Sequence, residues 1–129
     1  MGQLYTGAQK VLLCVHDSHA ILEYERRVFE QSGHIVVTET SARRGLRLAT
    51  LFPFDAVLID YHMPEMSGHE LAYELKCLRP ETFVVMVSGS EIPVETRLLV
   101  DAVVSKDEAK RDLLPVVTRL CDGVSPSER

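Results

Sequence analysis

The sequence predicts a doubly wound α/β domain, a five-stranded parallel sheet with helices on both faces. Two observations carry that prediction. Short apolar runs alternate with helical segments along the chain, and connections of that length join parallel strands rather than hairpins. The third run, Ala56-Val57-Leu58-Ile59, is apolar at every position, as a strand buried on both faces must be. It delivers a carboxylate, Asp60, to the C-terminal edge, where open α/β sheets keep their ligand sites.

Residues 1–8 read as a lead-in, and the domain is expected over residues 9–121. The first strand, Val11 to Val15, is apolar and ends at His16-Asp17. Ser18 can cap a first helix carrying Ile21, Leu22, Tyr24, Val28 and Phe29, with Gly33 at its C-terminal cap. Ile35 to Val37 give the second strand. Thr40 or Ser41 can cap a second helix with Leu46, Ala49 and Leu51 inward, which Pro53 stops. After the third strand, Ser67 and Glu70 form the capping box of a third helix, with Leu71, Leu75 and Leu78 on one face and Pro80 closing it. Phe83 to Val87 make the fourth strand, which runs into Ser88-Gly89-Ser90. A weak helix follows Pro93, then a short fifth strand at Ala102 to Val104. The last helix bears Leu113, Leu114, Val117 and Leu120, and Pro115 requires it to begin close before that residue, with Asp112 as a cap. Residues 122–129 are too polar to pack and read as a tail or linker.

Composition narrows the function. The 129 residues suit one well-buried core. A net charge of −5 would repel a phosphate backbone, which argues against nucleic-acid binding. Arg43, Arg44 and Arg47 lie at helical spacing and fit a solvated face. Cys14, Cys77 and Cys121 lack metal-ligand spacing and leave one over in any disulfide scheme, so a reducing cytosol is expected. No run reaches transmembrane length and none resembles a signal peptide, so no membrane partner is expected. Met1 to Thr6 satisfies a loose myristoylation pattern, to which we give no weight.

At the strand ends the fold would gather His16 and Asp17, Asp60, Ser88 and Lys106. Two carboxylates, a hydroxyl and an ammonium suit chemistry on a phosphoryl group. The carboxylates can hold a hard divalent cation, and one can act as nucleophile toward phosphorus. The ammonium and hydroxyl can meet the phosphoryl oxygens. Each residue also has an ordinary structural reading: a helix cap for Asp17, a turn for Ser88, a solvated side chain for Lys106. Taken together, the set favours the site.

With these residues in order, and with Asp60-x-x-Met63-Pro64-x-Met66-x-Gly68 between them, the chain resembles the receiver domain of bacterial two-component response regulators over roughly residues 9–121. The resemblance implies a flavodoxin-like strand order, 2-1-3-4-5. It implies Asp60 as phosphoacceptor, Ser88 as switch hydroxyl and Lys106 as the phosphoryl-binding base. Mg²⁺, or another divalent cation such as Mn²⁺, would be held by Asp17, Asp60 and the backbone carbonyl of His62, with His16 a further candidate. The implied partners are a histidine kinase or histidine phosphotransfer protein, and downstream a protein partner or a fused output domain. A separate enzyme activity is not implied, and the expected location is cytoplasmic.

Four features depart from the family pattern. His16 replaces the first of two acidic residues, and imidazole is a poor Mg²⁺ ligand. Asp107 follows Lys106 where the family has proline after a cis bond, so a trans bond or a rearranged loop is expected. Val103 stands where many members carry an aromatic ring, and residues 89–105 leave room only for a short fourth helix. These departures support an alternative, a degenerate receiver that serves as a phosphorylation-independent interaction module. A haloacid-dehalogenase-type phosphatase needs a second Asp two residues after the first, and position 62 is His. A flavin-binding protein of this fold needs a phosphate-cradling loop after strand one, and His16-Asp17-Ser18-His19 is not one.

Overall fold

The apolar runs become five strands in a computed structural model of the protein, which describes residues 9–123. They are β1 (Val11–Val15), β2 (Ile35–Glu39), β3 (Ala56–Asp60), β4 (Phe83–Ser88) and β5 (Ala102–Ser105). All pair in parallel in the order β2-β1-β3-β4-β5. Five helices connect and follow them: α1 (His19–Gln31), α2 (Ala42–Leu51), α3 (Gly68–Leu78), α4 (Val94–Leu99) and α5 (Ala109–Cys121). The myristoylation pattern and most of the tail lie outside the described residues. Among those described, no helix is long and apolar enough to cross a membrane.

Successive strand residues point to opposite faces of the sheet, and the core divides accordingly. Leu13, Val15, Val57, Ile59, Val84 and Met86 meet the apolar faces of α2 and α3. Leu12, Cys14, Leu58, Val85 and Val87 meet Leu22 and Phe29 of α1 and Leu113 and Val117 of α5. The helix starts follow the expected caps: Ser18 accepts from Ile21 N–H, Ser41 from Arg44 N–H, and Ser67 with Glu70 forms a reciprocal capping box. Gly33 takes a positive φ of 93° just past α1, a left-handed conformation that glycine adopts without steric cost.

At the N-terminal edge of the sheet, side chains complete the ladders. Asp55 Oδ2 accepts from Val11 N–H at 2.8 Å, and Asp101 Oδ2 accepts from Val84 N–H at 2.8 Å. Asp101 also pairs with Lys76 of α3 at 2.6 Å.

Several details differ from expectation. Leu51 is 63% exposed because it lies two residues beyond buried Ala49, on the opposite side of the helix. Leu78 has the inward azimuth, but it is the last residue of α3 and the buried cluster stops at Leu75. The last helix starts at Ala109, with Glu108 rather than Asp112 at its cap, so Pro115 lies inside it. Pro115 is exposed, and Leu113 and Val117 on the buried face anchor the turn around it. The helix thereby tolerates the hydrogen bond that proline cannot donate.

Glu25 lies on the buried face of α1 with Leu22 and Phe29, and is 5% exposed. It hydrogen-bonds the Cys14 thiol. Burial pushes the Glu25 carboxyl up to about 7, with the charge of Asp60 adding and the Cys14 bond and Lys106 opposing. A cavity of about 290 Å³ opens beside it between α1 and α5 and reaches His16 and Lys106.

Two predictions follow from this packing. A Cβ at Gly68 would stand 2.7 Å from Tyr61 Cα and 2.9 Å from Asp60 O, both backbone. Gly68→Ala should therefore cost about 1–3 kcal/mol, read as a lowered denaturant midpoint. Glu25 keeps its proton to about pH 7 in the folded state and loses it near 4.5 when unfolded. The folded form binds more protons across that window, so it loses stability as pH rises through it. Glu25→Gln should gain on the order of 3 kcal/mol relative to the wild type between pH 4 and pH 8, measured by urea unfolding at each pH.

Candidate functional site

Parallel pairing brings the ends of β1, β3, β4 and β5 to one edge, and the predicted side chains collect there. Asp60, the last residue of β3, is only 3% exposed. Its Oδ1 lies 3.3 Å from Lys106 Nζ, and its Oδ2 lies 3.6 Å from His16 Nε2. Asp17, exposed at the rim, has Oδ1 3.2 Å from His16 Nδ1. The described peptide bonds are all trans, that between Lys106 and Asp107 included. Lys106 nonetheless reaches Asp60, because its N–H bonds to Ser88 O at 2.8 Å and continues the β4–β5 pairing.

Donor atoms of His16, Asp17 and Asp60 all lie within 4.8 Å of one another, a spacing at which one divalent cation can bridge the group. Asp60 Oδ1 is buried with no hydrogen-bond partner, and so is His16 Nε2. A buried carboxylate oxygen left open to a cation is chemically suited to a hard ion. The two carboxylates therefore fit the family's cation. The imidazole fits it less well, because the backbone N–H of Ser18 donates to His16 Nδ1 at 3.0 Å. Burial, reinforced by Lys106 and opposed by Asp60 and Asp17, lowers the pKa of His16, which favours the neutral ring.

Ser88 sits at the same edge, with its hydroxyl engaged by Ser90. Its hydroxyl donates to Ser90 O at 2.9 Å and accepts from Ser90 N–H at 3.0 Å. The His62 ring bonds Ser90 Oγ at 3.0 Å, so Ser90 links the loop after β3 to the loop after β4. The sequence reading missed Ser90, and it also missed Glu25. The spacing of Glu25 with Leu22 and Phe29 could have exposed the latter, since three, four and seven residues apart is one helix face.

Below the site, α4 has six residues. Ile92 and Thr96 are buried, and Thr96 Oγ1 meets His69 Nδ1 at 2.8 Å. Val94 and Leu98 are exposed, Leu98 by 82%.

Comparison with known proteins agrees with this geometry. The family model for the response regulator receiver domain matches residues 12–118. A CheY-like receiver domain protein from Methanospirillum hungatei JF-1 is 30% identical, with a TM-score of 0.82 over 90% of this chain and 96% of that one. A receiver domain protein from Clostridium thermocellum shares the fold at 23% identity, with a TM-score of 0.81 over 88% and 95%. The cell cycle response regulator CtrA of Brucella ovis is 27% identical over 78 residues, 60% of this chain and 34% of its own length. The chain thus matches about a third of that relative. On its family match, its sheet order and the acidic cluster at its strand ends, this chain belongs to the response regulator receiver domain family.

Proposed function

We propose that the protein accepts a phosphoryl group on Asp60 from a phosphohistidine of a histidine kinase or phosphotransfer protein. The observation that carries this reading is the buried Asp60 carboxylate, whose Oδ1 makes no hydrogen bond and faces the Lys106 ammonium at 3.3 Å. An Asp60 oxygen attacks phosphorus and forms the P–O bond as the P–N bond breaks. The electron pair returns to the donor imidazole, which takes up a proton. The Lys106 ammonium offsets charge on the phosphoryl oxygens. Asp17, Asp60 and the His62 carbonyl would hold the divalent cation, Mg²⁺ or Mn²⁺, which neutralises phosphoryl charge when bound. The fold and the cluster fit self-assisted phosphorylation and dephosphorylation, not a separate enzymatic activity.

Signalling follows from Ser88. To donate to a phosphoryl oxygen, its hydroxyl must give up the bond it donates to Ser90 O. That frees the loop leading into α4, and the change is read by a downstream partner or a fused output domain as a population shift. The engaged state of Ser88 also favours a second reading, an interaction module that is not phosphorylated.

Two measurements separate these readings. Incubation with acetyl phosphate and Mg²⁺ should add the mass of one phosphoryl group, and Asp60→Asn should abolish the gain. A gain that persists in Asp60→Asn moves the site elsewhere, and no gain with any donor favours the interaction module. Hydrogen exchange in Glu91 to Asp101 should be faster than in the central strands, and beryllofluoride should change it. Unchanged exchange at confirmed occupancy would remove this segment as the output surface.

A further inference from the structure

We propose that His16 is a phosphoryl-binding donor, whose Nε2–H takes a phosphoryl oxygen at Asp60 and supplies part of the charge compensation that the family draws from its cation. The inference rests on the receiver reading above.

The Ser18 N–H lies in its peptide plane and donates to His16 Nδ1 at 3.0 Å. That nitrogen must therefore present its lone pair. In a neutral imidazole the one ring proton is then on Nε2, since the bond made by one nitrogen fixes the state of the other. Asp17 Oδ1, 3.2 Å from Nδ1, would accept a proton carried there, but the shorter contact, from a backbone N–H whose hydrogen is fixed by its peptide plane, assigns the lone pair to Nδ1.

Nε2–H is thus a donor, and it is buried without a partner in a residue only 5% exposed. The closest carboxylate oxygen, Asp60 Oδ2 at 3.6 Å, is beyond hydrogen-bond range. Buried donors are rarely left unpaired, and those that are tend to have a functional reason. A phosphoryl group on Asp60 would bring oxygens that accept, and a bond to such a charged acceptor is among the stronger kinds. Lys106 flanks Oδ1 and His16 flanks Oδ2, so donors stand on both sides of the carboxylate.

The same tautomer keeps His16 out of the cation's coordination shell. To ligate through Nε2, the ring would have to carry its proton on Nδ1, against the Ser18 N–H. The cation is left with Asp17 and Asp60 as anionic ligands, one fewer than an acidic residue at position 16 would give. Phosphoryl binding here should accordingly depend less on the cation than it would with Asp at that position.

Beryllofluoride, with EDTA or with Mg²⁺, tests this on the full chain by calorimetric or fluorine NMR titration. In EDTA, the wild type should bind it at least about tenfold more tightly than His16→Ala, the weight of one charge-assisted hydrogen bond. His16→Asp should bind well with Mg²⁺ and lose more affinity than the wild type when EDTA removes it. Long-range nitrogen-15 NMR of the wild-type ring, independent of any variant's folding, should find the Nε2–H tautomer and should find it retained with Mg²⁺. Equal affinities of wild type and His16→Ala in EDTA would overturn the inference. So would wild-type binding that needs Mg²⁺ absolutely, or a ring protonated on Nδ1. Those results leave the receiver reading intact, provided the wild type binds beryllofluoride with Mg²⁺. Failure to bind under either condition overturns both.

Discussion

A carboxylate held almost out of water at the end of the central strand is the constraint on which the rest of this edge depends. Burying an ionised group without compensation is costly, so Asp60 requires cationic or donor partners close by. The protein supplies one from just past β5, through Lys106, and places an imidazole from the end of β1 alongside. It leaves Oδ1 without a hydrogen bond. Satisfying Asp60 fully would make a more comfortable core and a poorer site. The sheet order, the helix caps and the close approach of Gly68 to the β3 loop all hold that incomplete arrangement in place.

Most of the fold was legible because its signals are local and repeated. The unbroken apolar run before Asp60, the Ser67-Glu70 capping box and the prolines at helix ends each encode a boundary within a few residues. The errors came where the signal was not local. Leu78 is apolar but lies beyond the packed layer, and nothing in its immediate sequence says where that layer ends; Leu51 is apolar but stands on the side of its helix opposite buried Ala49. The missing N–H of Pro115, taken alone, points to a helix that begins just before it, whereas the burial of Leu113 and Val117 on either side carries the helix through it.

The site was legible as a set of residues, less so as a set of bonds. Strand-end position placed His16, Asp17, Asp60, Ser88 and Lys106 together. It could not reveal that the Ser88 hydroxyl is engaged with Ser90, nor that the backbone of Ser18 fixes the His16 ring. Both depend on the path of loops after the strands, where one backbone N–H decides which atom of a side chain is free. Glu25 escaped notice because a charge among apolar helix positions is usually solvated, and here it faces Cys14 and a cavity.

The two carboxylates at the opposite edge give the sheet a mechanical polarity. Asp55 accepts the first N–H of β1 and Asp101 the second N–H of β4, and Asp101 also ties that end to α3 through Lys76. That margin is pinned by side chains from its own loops. At the other margin the strands open into loops whose polar groups are shared among Ser88, Ser90 and His62, bonds that can be exchanged for others at little net cost. The sheet is clamped at one end and compliant at the other. The exchangeable bonds lie on the side of the sheet that carries Asp60, where the chain turns toward α4.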